Sequence, residues 1–483
     1  MQSFDYLILL LYFCLLLVIG YFANKKQKNT DDYYVGGRNV GTLSLGALWM
    51  SSWVGGACIL GTAEKSYEMG ISSLWYSIAM FIGFIVFSLT FAGRVKEMGD
   101  KFRHITYPDL IEERYDTRSR LVSTVTTIVA YIGYTATQLL AAAHIITTIT
   151  NISLGYSFVI ATVITISYTS FGGFFAVEKT DRFQALLVLL GISLFAVPLT
   201  WNKVGGLSQL TTNLSPTFFE LDTWGVSTIF AMITSIILTF FTSMDSYTRC
   251  YAAKSKKSAR NGTLIAGFAV LCIAFSVCFL GMSARLLFPD QPGGEAALVQ
   301  LIITVFPIGI KGLMLVAILS AIMSTADACI LSASANITRD IYQRFINPEA
   351  DSQKVLRLGI FSSVMVGTTG ALIAWYSESI ISLLVMTFTI NSAGLFFPTI
   401  GAFFWKRANS QAAFWSMTIS LAIVCVWYLG QYLHFNSTVF NIDPLWPGLI
   451  VSFTVFSLMS ALSTDSSTEM DLTKGILNVS DNR

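Results

Sequence analysis

Apolar stretches long enough to cross a membrane recur along the whole chain and alternate with short polar segments. A helix needs about 20 mostly apolar residues to span a bilayer. The pattern predicts such helices at residues 5–24, 43–69, 73–95, 121–149, 154–173, 182–201, 226–250, 263–286, 311–340, 357–375, 380–404, 411–432 and 446–463. We therefore expect an all-α integral membrane protein with 13 transmembrane helices and a polar tail at 464–483.

The composition supports this interpretation. Of the 483 residues, 54% are hydrophobic and 12% are charged, against about 25% charged in ordinary soluble proteins. So few charged side chains cannot cover a water-facing surface, and a lipid bilayer has to take that place. No basic patch suggests a nucleic acid partner, and no nucleophile, metal or phosphate-binding motif suggests an enzyme or an ATP-driven pump. The sequence leaves the oligomeric state open.

Lysines and arginines fall unevenly on the two sides of the predicted bundle. With the N-terminus outside, 26 of the 30 lie in inward connections and 4 lie on the other side. Cytoplasmic connections carry the excess of Lys and Arg in membrane proteins. We therefore expect a multi-pass plasma membrane protein with its N-terminus outside and its C-terminus in the cytoplasm.

The second predicted helix contains polar Ser51 and Ser52, followed by the pair Gly55 and Gly56. Adjacent glycines tolerate an unwound backbone, and unwinding inside a membrane exposes carbonyl oxygens and two half-helix ends. Alternatively, the glycines only allow another helix to approach closely.

A stripe of small and hydroxyl residues lies on one face of the helix at 311–340. Ala321, Ser324, Thr325 and Ala328 follow the spacing i, i+3, i+4 and i+7. Hydroxyl and carbonyl oxygens suit a hard cation. Equally, Ser and Thr often bond their own helix backbone, and small stripes pack helices.

Three carboxylates lie within or beside apolar helices: Asp181, Asp245 and Asp327. Such residues are rare in membranes unless they serve an ion path, a proton relay or a cationic ligand. For Asp181, which precedes the helix predicted from 182, a helix N-cap is the alternative.

Four separated motifs then appear in order: YYVGGR at 33–38, SWVGGACILGTAE at 52–64, SYTSFGGFFAVEKTDRFQ at 167–184 and LSAIMSTADACILSASANITRDIYQRF at 319–345. With these motifs the chain resembles the sodium/solute symporter family. The resemblance implies a leucine-transporter-like, five-plus-five inverted repeat. A leading helix and loop would occupy 1–42, the two repeats 43–201 and 226–404, and two trailing helices 411–463.

The resemblance also implies roles for particular residues. The sodium site would use carbonyls of Ser51, Val54 and Ala321 with hydroxyls of Ser324 and Thr325, and Asp181 and Asp327 would flank a second sodium. The motifs look most like the choline transporter branch, then the proline symporter. Trp53 and Tyr134 match an aromatic cage, and Gly55, Gly56, Trp75, Met244 and Asp245 complete the candidate substrate site.

One departure bears on the substrate. Met244 and Asp245 stand where the choline branch has Trp and Gln, which favours a primary or secondary amine paired with Asp245. We therefore expect a sodium-coupled symporter that imports an organic cation or zwitterion by alternating access. The alternatives are a sodium symporter for a neutral or anionic nutrient such as a sugar or pantothenate, a membrane sensor without transport, and a passive channel.

Overall fold

The computed structural model describes residues 2–24, 34–290, 297–377, 380–433 and 438–462, and these residues form an all-α bundle. The α-helices are α1 (Ser3–Asn24), α2 (Thr42–Trp53), α3 (Thr62–Met69), α4 (Leu74–Phe87), α5 (Gly93–Phe102), α6 (Tyr107–Arg114), α7 (Thr117–Thr150), α8 (Leu154–Val188), α9 (Val197–Val204), α10 (Leu207–Asn213), α11 (Val226–Phe240), α12 (Met244–Ala252), α13 (Lys256–Leu287), α14 (Ala297–Val305), α15 (Ile310–Ala335), α16 (Ser352–Trp375), α17 (Ile380–Phe404), α18 (Ser410–Tyr432) and α19 (Leu445–Leu462).

Wider π-helical turns extend several of these helices. They lie at Ala57–Gly61, Ser88–Ala92, Leu189–Ala196 and Asn336–Ile346. Short 3₁₀ turns lie at Gly36–Arg38, Gly70–Ser73, Pro216–Phe219 and Thr438–Asn441. Part of the predicted 1–42 loop and the whole predicted polar tail at 464–483 lie outside the described residues.

The core of the bundle is organised around α15. Its residues from Met314 to Ala335 are all buried, and it packs against α1, α2, α7, α8 and α16. Large apolar side chains such as Phe230, Phe268 and Leu458 are instead exposed on the outside of the bundle. A core helix that keeps its few polar side chains, such as Ser324 and Asp327, inside an apolar outer surface is the arrangement expected when lipid is the surrounding solvent.

Each predicted membrane helix coincides with helical structure, but the number 13 is not confirmed. Within the described residues, 10 helical stretches are long and apolar enough to cross a membrane. The predicted helices 5–24 and 154–173 lie on α1 and on the first part of α8. Elsewhere predicted helices join: a 3₁₀ turn connects α3 to α4, and the predicted helices 154–173 and 182–201 lie on the continuous α8, its π-helical turn and α9.

The predicted helix at 226–250 is wrong in one respect, because it is broken. Helix α11 ends at Phe240, Phe241 to Ser243 are not helical, and α12 begins at Met244. The first predicted repeat begins with a broken helix too, formed by α2 and α3. A broken helix at the corresponding place in each half is typical of transporters built from inverted repeats. The repeat boundaries themselves stay predictions.

Candidate functional site

The first helix break confirms the predicted interruption at the glycine pair. Helix α2 ends at Trp53, and Val54 has φ −90° and ψ 77°. A ψ so far from the helical value near −42° turns the Val54 carbonyl out of the helix direction. Gly56 then returns to helical angles and leads into the π-helical turn at Ala57.

A glutamine from α7 stabilises this break. Gln138 Oε1 accepts a hydrogen bond from the Gly56 backbone N–H at 2.8 Å. The Ser52 carbonyl, which that N–H would meet in a continuous helix, accepts from the Tyr134 hydroxyl at 3.3 Å. A Cβ at Gly55 would lie 2.4 Å from Gln138 Oε1 and 2.8 Å from Thr325 Oγ1. Both glycine interpretations therefore hold here, because the backbone is unwound and the neighbours approach closely.

A buried cluster of oxygens joins the break to α15. The Ser51 carbonyl accepts hydrogen bonds from Ser324 Oγ at 3.2 Å and from Thr325 Oγ1 at 2.7 Å. The same two hydroxyls lie 3.0 and 3.1 Å from the Ala321 carbonyl. All four residues are at most 2% exposed. Two carbonyl and two hydroxyl oxygens in one buried cluster are suitable ligands for a small alkali ion.

Two further carboxylates lie beside this cluster. Asp181 is fully buried, neither of its carboxylate oxygens has a hydrogen bond partner among the described residues, and its backbone carbonyl accepts from Ser51 Oγ at 3.3 Å. Asp327 accepts from Thr169 Oγ1 and lies within electrostatic range of Asp181. Since Asp181 lies inside α8, the N-cap alternative is wrong. Two neighbouring buried acids call for a nearby positive charge.

The second break places Asp245 in the interior of the bundle. Asp245 lies in the first turn of α12, and its Oδ1 accepts from Ser332 Oγ of α15 at 3.1 Å. Its backbone N–H donates to the Tyr131 hydroxyl at 3.0 Å. A buried carboxylate between two helix breaks is positioned to meet a solute that enters the bundle.

A narrow cavity lies between the two breaks, with aromatic and polar residues in its wall. Its lining includes Trp53, Tyr131, Tyr134, Asp245, Phe388 and Asn391. The Trp53 ring stacks on Phe240, with centroids 3.8 Å apart and planes at 10°. One face of the indole is therefore already covered. A second cavity of about 740 Å³ lies between earlier turns of α11 and α17 and is lined by Trp224, Tyr428 and Trp446, among others.

Of the predicted substrate residues, Trp53, Tyr134 and Asp245 line the narrow cavity, and Gly55, Gly56, Trp75 and Met244 do not. The Trp75 indole N–H donates to the Leu221 carbonyl at 2.7 Å, in the segment before α11. Met244 Sδ accepts from the Tyr107 backbone N–H at 3.2 Å, and Met244 lines a neighbouring cavity instead. The first residue of a half-helix points differently from its successor, so Met244 and Asp245 do not share one site.

Arg249, at the end of the predicted helix 226–250, is buried in the core, 3% exposed. Its Nη2 donates to Ser52 Oγ at 2.6 Å, and its charge acts on both Asp181 and Asp245. Hydropathy alone places an arginine at the end of an apolar run in a loop. The acidic residue one helical turn earlier, Asp245, was the available signal that this arginine stays inside.

Two interrupted helices that face a buried oxygen cluster and a narrow cavity define a secondary membrane transporter. A family model described as "Sodium:solute symporter family" matches residues 33–420. The chain belongs to this family, and it is a sodium-coupled solute symporter rather than an enzyme.

Relatives of known function are similar along almost the whole chain. A sodium/proline symporter of Haemophilus influenzae is 28% identical over 93% of this chain and 92% of its own length. The high-affinity proline transporter PutP of Bacillus subtilis is 26% identical over 85% of this chain and 89% of its own. These relatives are named for proline, and the resemblance to the choline branch is not supported.

Solved structures share the fold. A Na⁺-coupled sialic acid symporter in a substrate-bound, outward-open state has a TM-score of 0.81 at 21% identity, over 96% of this chain and 98% of that one. Mhp1, a nucleobase-cation-symport-1 family transporter in a closed conformation, has a TM-score of 0.60 at 15% identity, over 92% and 99%. The predicted leucine-transporter-like fold class is confirmed.

Proposed function

We propose that this symporter imports a small amine or amino acid together with sodium by alternating access. The observation that carries the proposal is the pair of hydroxyls, Ser324 and Thr325, on the Ser51 carbonyl at the helix break. This contact joins α2 of the first predicted repeat to α15 of the second. An ion bound there favours the arrangement in which both helices lie together.

The first sodium is assigned to Ser51, Val54, Ala321, Ser324 and Thr325. Four of these residues already bring oxygens together, and the backbone angles of Val54 turn its carbonyl out of the helix. Sodium takes oxygen ligands without needing soft ones. The ion would replace the hydroxyl protons as the positive partner of the two carbonyls.

A second sodium is assigned to Asp181 and Asp327. The buried carboxylate of Asp181 has no hydrogen bond partner among the described residues, and Asp327 adds negative charge nearby. Arg249 supplies one compensating charge. Asp245 is a third acid near the same arginine, so one arginine leaves room for a sodium ion beside Asp181 and Asp327 and for a cationic nitrogen beside Asp245.

The solute is assigned to the narrow cavity beside Trp53, Tyr134 and Asp245. Asp245 favours a positively charged nitrogen, and the aromatic rings add cation–π attraction of about 0.5–2 kcal/mol each. The proline named for the two bacterial relatives has such a nitrogen. We therefore assign an amino acid or related amine in place of a choline-like solute.

Orientation follows from the charge distribution, with the N-terminus outside and the C-terminus in the cytoplasm of a plasma membrane protein. Arg249 is buried in the core, so one of the 26 Lys and Arg residues counted on the inner side no longer counts there, and the large excess on that side remains. The cavity of about 740 Å³ then opens outward. At the other end, Val40 N–H donates to Ala252 O and Lys254 N–H to Val40 O, both at 2.9 Å, and these bonds join the segment before α2 to the end of α12.

Sodium supplies enough free energy for accumulation. One charge moved through 100 mV yields about 2.3 kcal/mol, and a tenfold gradient adds about 1.4 kcal/mol. For each sodium ion that enters, the total of about 3.7 kcal/mol supports several-hundredfold accumulation of a zwitterion.

The test is sodium-dependent uptake in proteoliposomes by a Ser324→Ala, Thr325→Ala double variant. We expect sodium activation to disappear while the protein still inserts. Ser334→Ala is the matched control, because Ser334 is buried on the same helix and donates to the Gly359 carbonyl, which keeps a bond from Ser363. Normal sodium activation in the double variant would remove the assigned site.

A further inference from the structure

Three buried polar atoms in the wall of the narrow cavity have no hydrogen bond partner among the described residues. They are Asp245 Oδ2, Asn391 Oδ1 and Trp53 Nε1. All three side chains are at most 2% exposed. Buried polar atoms are nearly always paired in native proteins. Three unpaired atoms around one cavity therefore indicate what a ligand has to provide.

Neighbouring contacts fix the orientation of each group. Asn391 Nδ2 donates to Thr242 Oγ1 at 3.0 Å, in the second break, so Oδ1 is the free end of the amide. The second oxygen of Asp245, Oδ1, accepts from Ser332. Stacking on Phe240 holds the Trp53 ring in place. These contacts hold the three groups in place in the wall of the cavity.

The unpaired set consists of two acceptors, one of them charged, and one donor. A ligand that complements it offers two N–H donors on a cationic nitrogen and one acceptor. A primary or secondary α-amino acid has both, in its ammonium and carboxylate groups. A quaternary ammonium is also cationic and suits aromatic rings, but it has methyl groups where the N–H donors are needed.

We infer that this cavity selects its solute by the N–H groups of the nitrogen, with Asn391 and the Trp53 indole as specificity-determining residues. The inference rests on the proposed function and deepens it, because it separates amino acids from betaines and choline. A site built around unpaired polar atoms rejects a ligand that lacks the matching groups more strongly than an apolar site does.

The experiment compares ligands that differ only in N-methylation. Purified protein in sodium is titrated with proline, N-methylproline and N,N-dimethylproline, and with glycine, sarcosine, dimethylglycine and glycine betaine, by thermal shift and by competition for binding. Because the site has two acceptors, we expect affinity to fall about tenfold for each N–H lost below two, so proline should exceed N-methylproline and sarcosine should exceed dimethylglycine, while glycine and sarcosine should bind similarly. Replacing sodium by potassium should abolish the binding that remains.

Two variants assign the effect to its residues. Asn391→Ala should weaken proline about tenfold and shrink its preference over N-methylproline. Trp53→Phe keeps an aromatic side chain but removes the indole N–H. Pyrrolidine is proline without its carboxylate, so this variant should shrink the preference for proline over pyrrolidine. Asn336→Ala is the matched control, since Asn336 is also buried with both side-chain polar atoms unpaired but does not line the cavity.

The outcomes separate the inference from the proposed function. Equal sodium-dependent binding of proline and its dimethyl form would overturn the inference while leaving a sodium-coupled amine carrier. If no member of either series binds in sodium, both the inference and the assigned solute are wrong. The sodium site is judged independently, by the Ser324 and Thr325 variants.

Discussion

A single methyl group at Gly56 should disable sodium coupling. Gly56 has helical backbone angles, φ −55° and ψ −44°, so glycine is not required there for conformation. It is required for space, because an added Cβ would lie 2.3 Å from the Cβ of Ala141 on α7. The next neighbours, Gln138 Oε1 and Ile322 Cγ1, lie at 3.5 and 3.7 Å, which is ordinary contact.

The size of the effect follows from this one collision. Overpacking a tight contact costs about 1–3 kcal/mol, and relief of the collision moves the break away from α7. That movement weakens the 2.8 Å bond between Gly56 N–H and Gln138 and displaces the Ser51 carbonyl. If the loss falls on ion binding, the sodium concentration for half-maximal uptake rises about 5- to 150-fold.

The collision also specifies its own suppressor. Ala141→Gly removes the one atom that Gly56→Ala strikes, so the double variant should recover most of the sodium affinity. A residual loss of up to about 1 kcal/mol is expected for glycine inside α7. Gly41→Ala is the control, because a Cβ at Gly41 has no heavy atom within 4 Å.

The assay is a sodium titration of solute uptake in proteoliposomes, together with a sodium titration of thermal stability in detergent. Gly56→Ala with a normal sodium dependence would refute the argument for close approach. A double variant no better than Gly56→Ala alone would show that the defect arises elsewhere.

Charged groups outside the two sites lead to two more expected outcomes. Arg120 pairs with partly buried Asp109 and fully buried Asp340, so Arg120→Met should lower stability by about 3–5 kcal/mol. Arg182→Met removes a half-exposed cation and should change stability by at most about 1 kcal/mol. Similar melting temperatures for the two variants would contradict this. Burial lowers the pKa of His104 to about 4. The unfolded chain, with an ordinary pKa near 6.5, then binds the proton first, so stability falls as the pH drops from about 6.5 to 4. His104→Gln should flatten that slope in thermal melts, and an unchanged slope would exclude His104 as its source.

The first break and its hydroxyl partners were predictable because both have local signatures. Two adjacent glycines after two serines mark a helix that can unwind, and the spacing of Ser324 and Thr325 puts both hydroxyls on one face. The structure brings these features together at Ser51. Sequence reasoning succeeded where neighbouring residues determine the geometry.

The second break and its partners carried no such signature. Phe241, Thr242 and Ser243 contain no glycine or proline, and the run around them is apolar enough to look like one helix. Gln138 has the same problem, because a lone glutamine in an apolar helix reveals nothing about the N–H it meets on another helix. Contacts between distant segments depend on how the helices pack, and the hydropathy and spacing of residues along the chain carry no information about that packing.

In the proposed mechanism, coupling between ion and solute follows from three consecutive residues at the first break. The Ser51 carbonyl meets the α15 hydroxyls, Ser52 meets Tyr134 and Arg249, and the Trp53 ring lines the cavity. A sodium ion that bound all conformations of this segment with equal affinity could not shift the balance between them. An ion between Ser51 and Thr325 reaches both helices only while α2 and α15 lie together, so its binding energy favours that arrangement alone. Because Trp53 is two residues away on the same segment, the ion also fixes the ring that the solute meets.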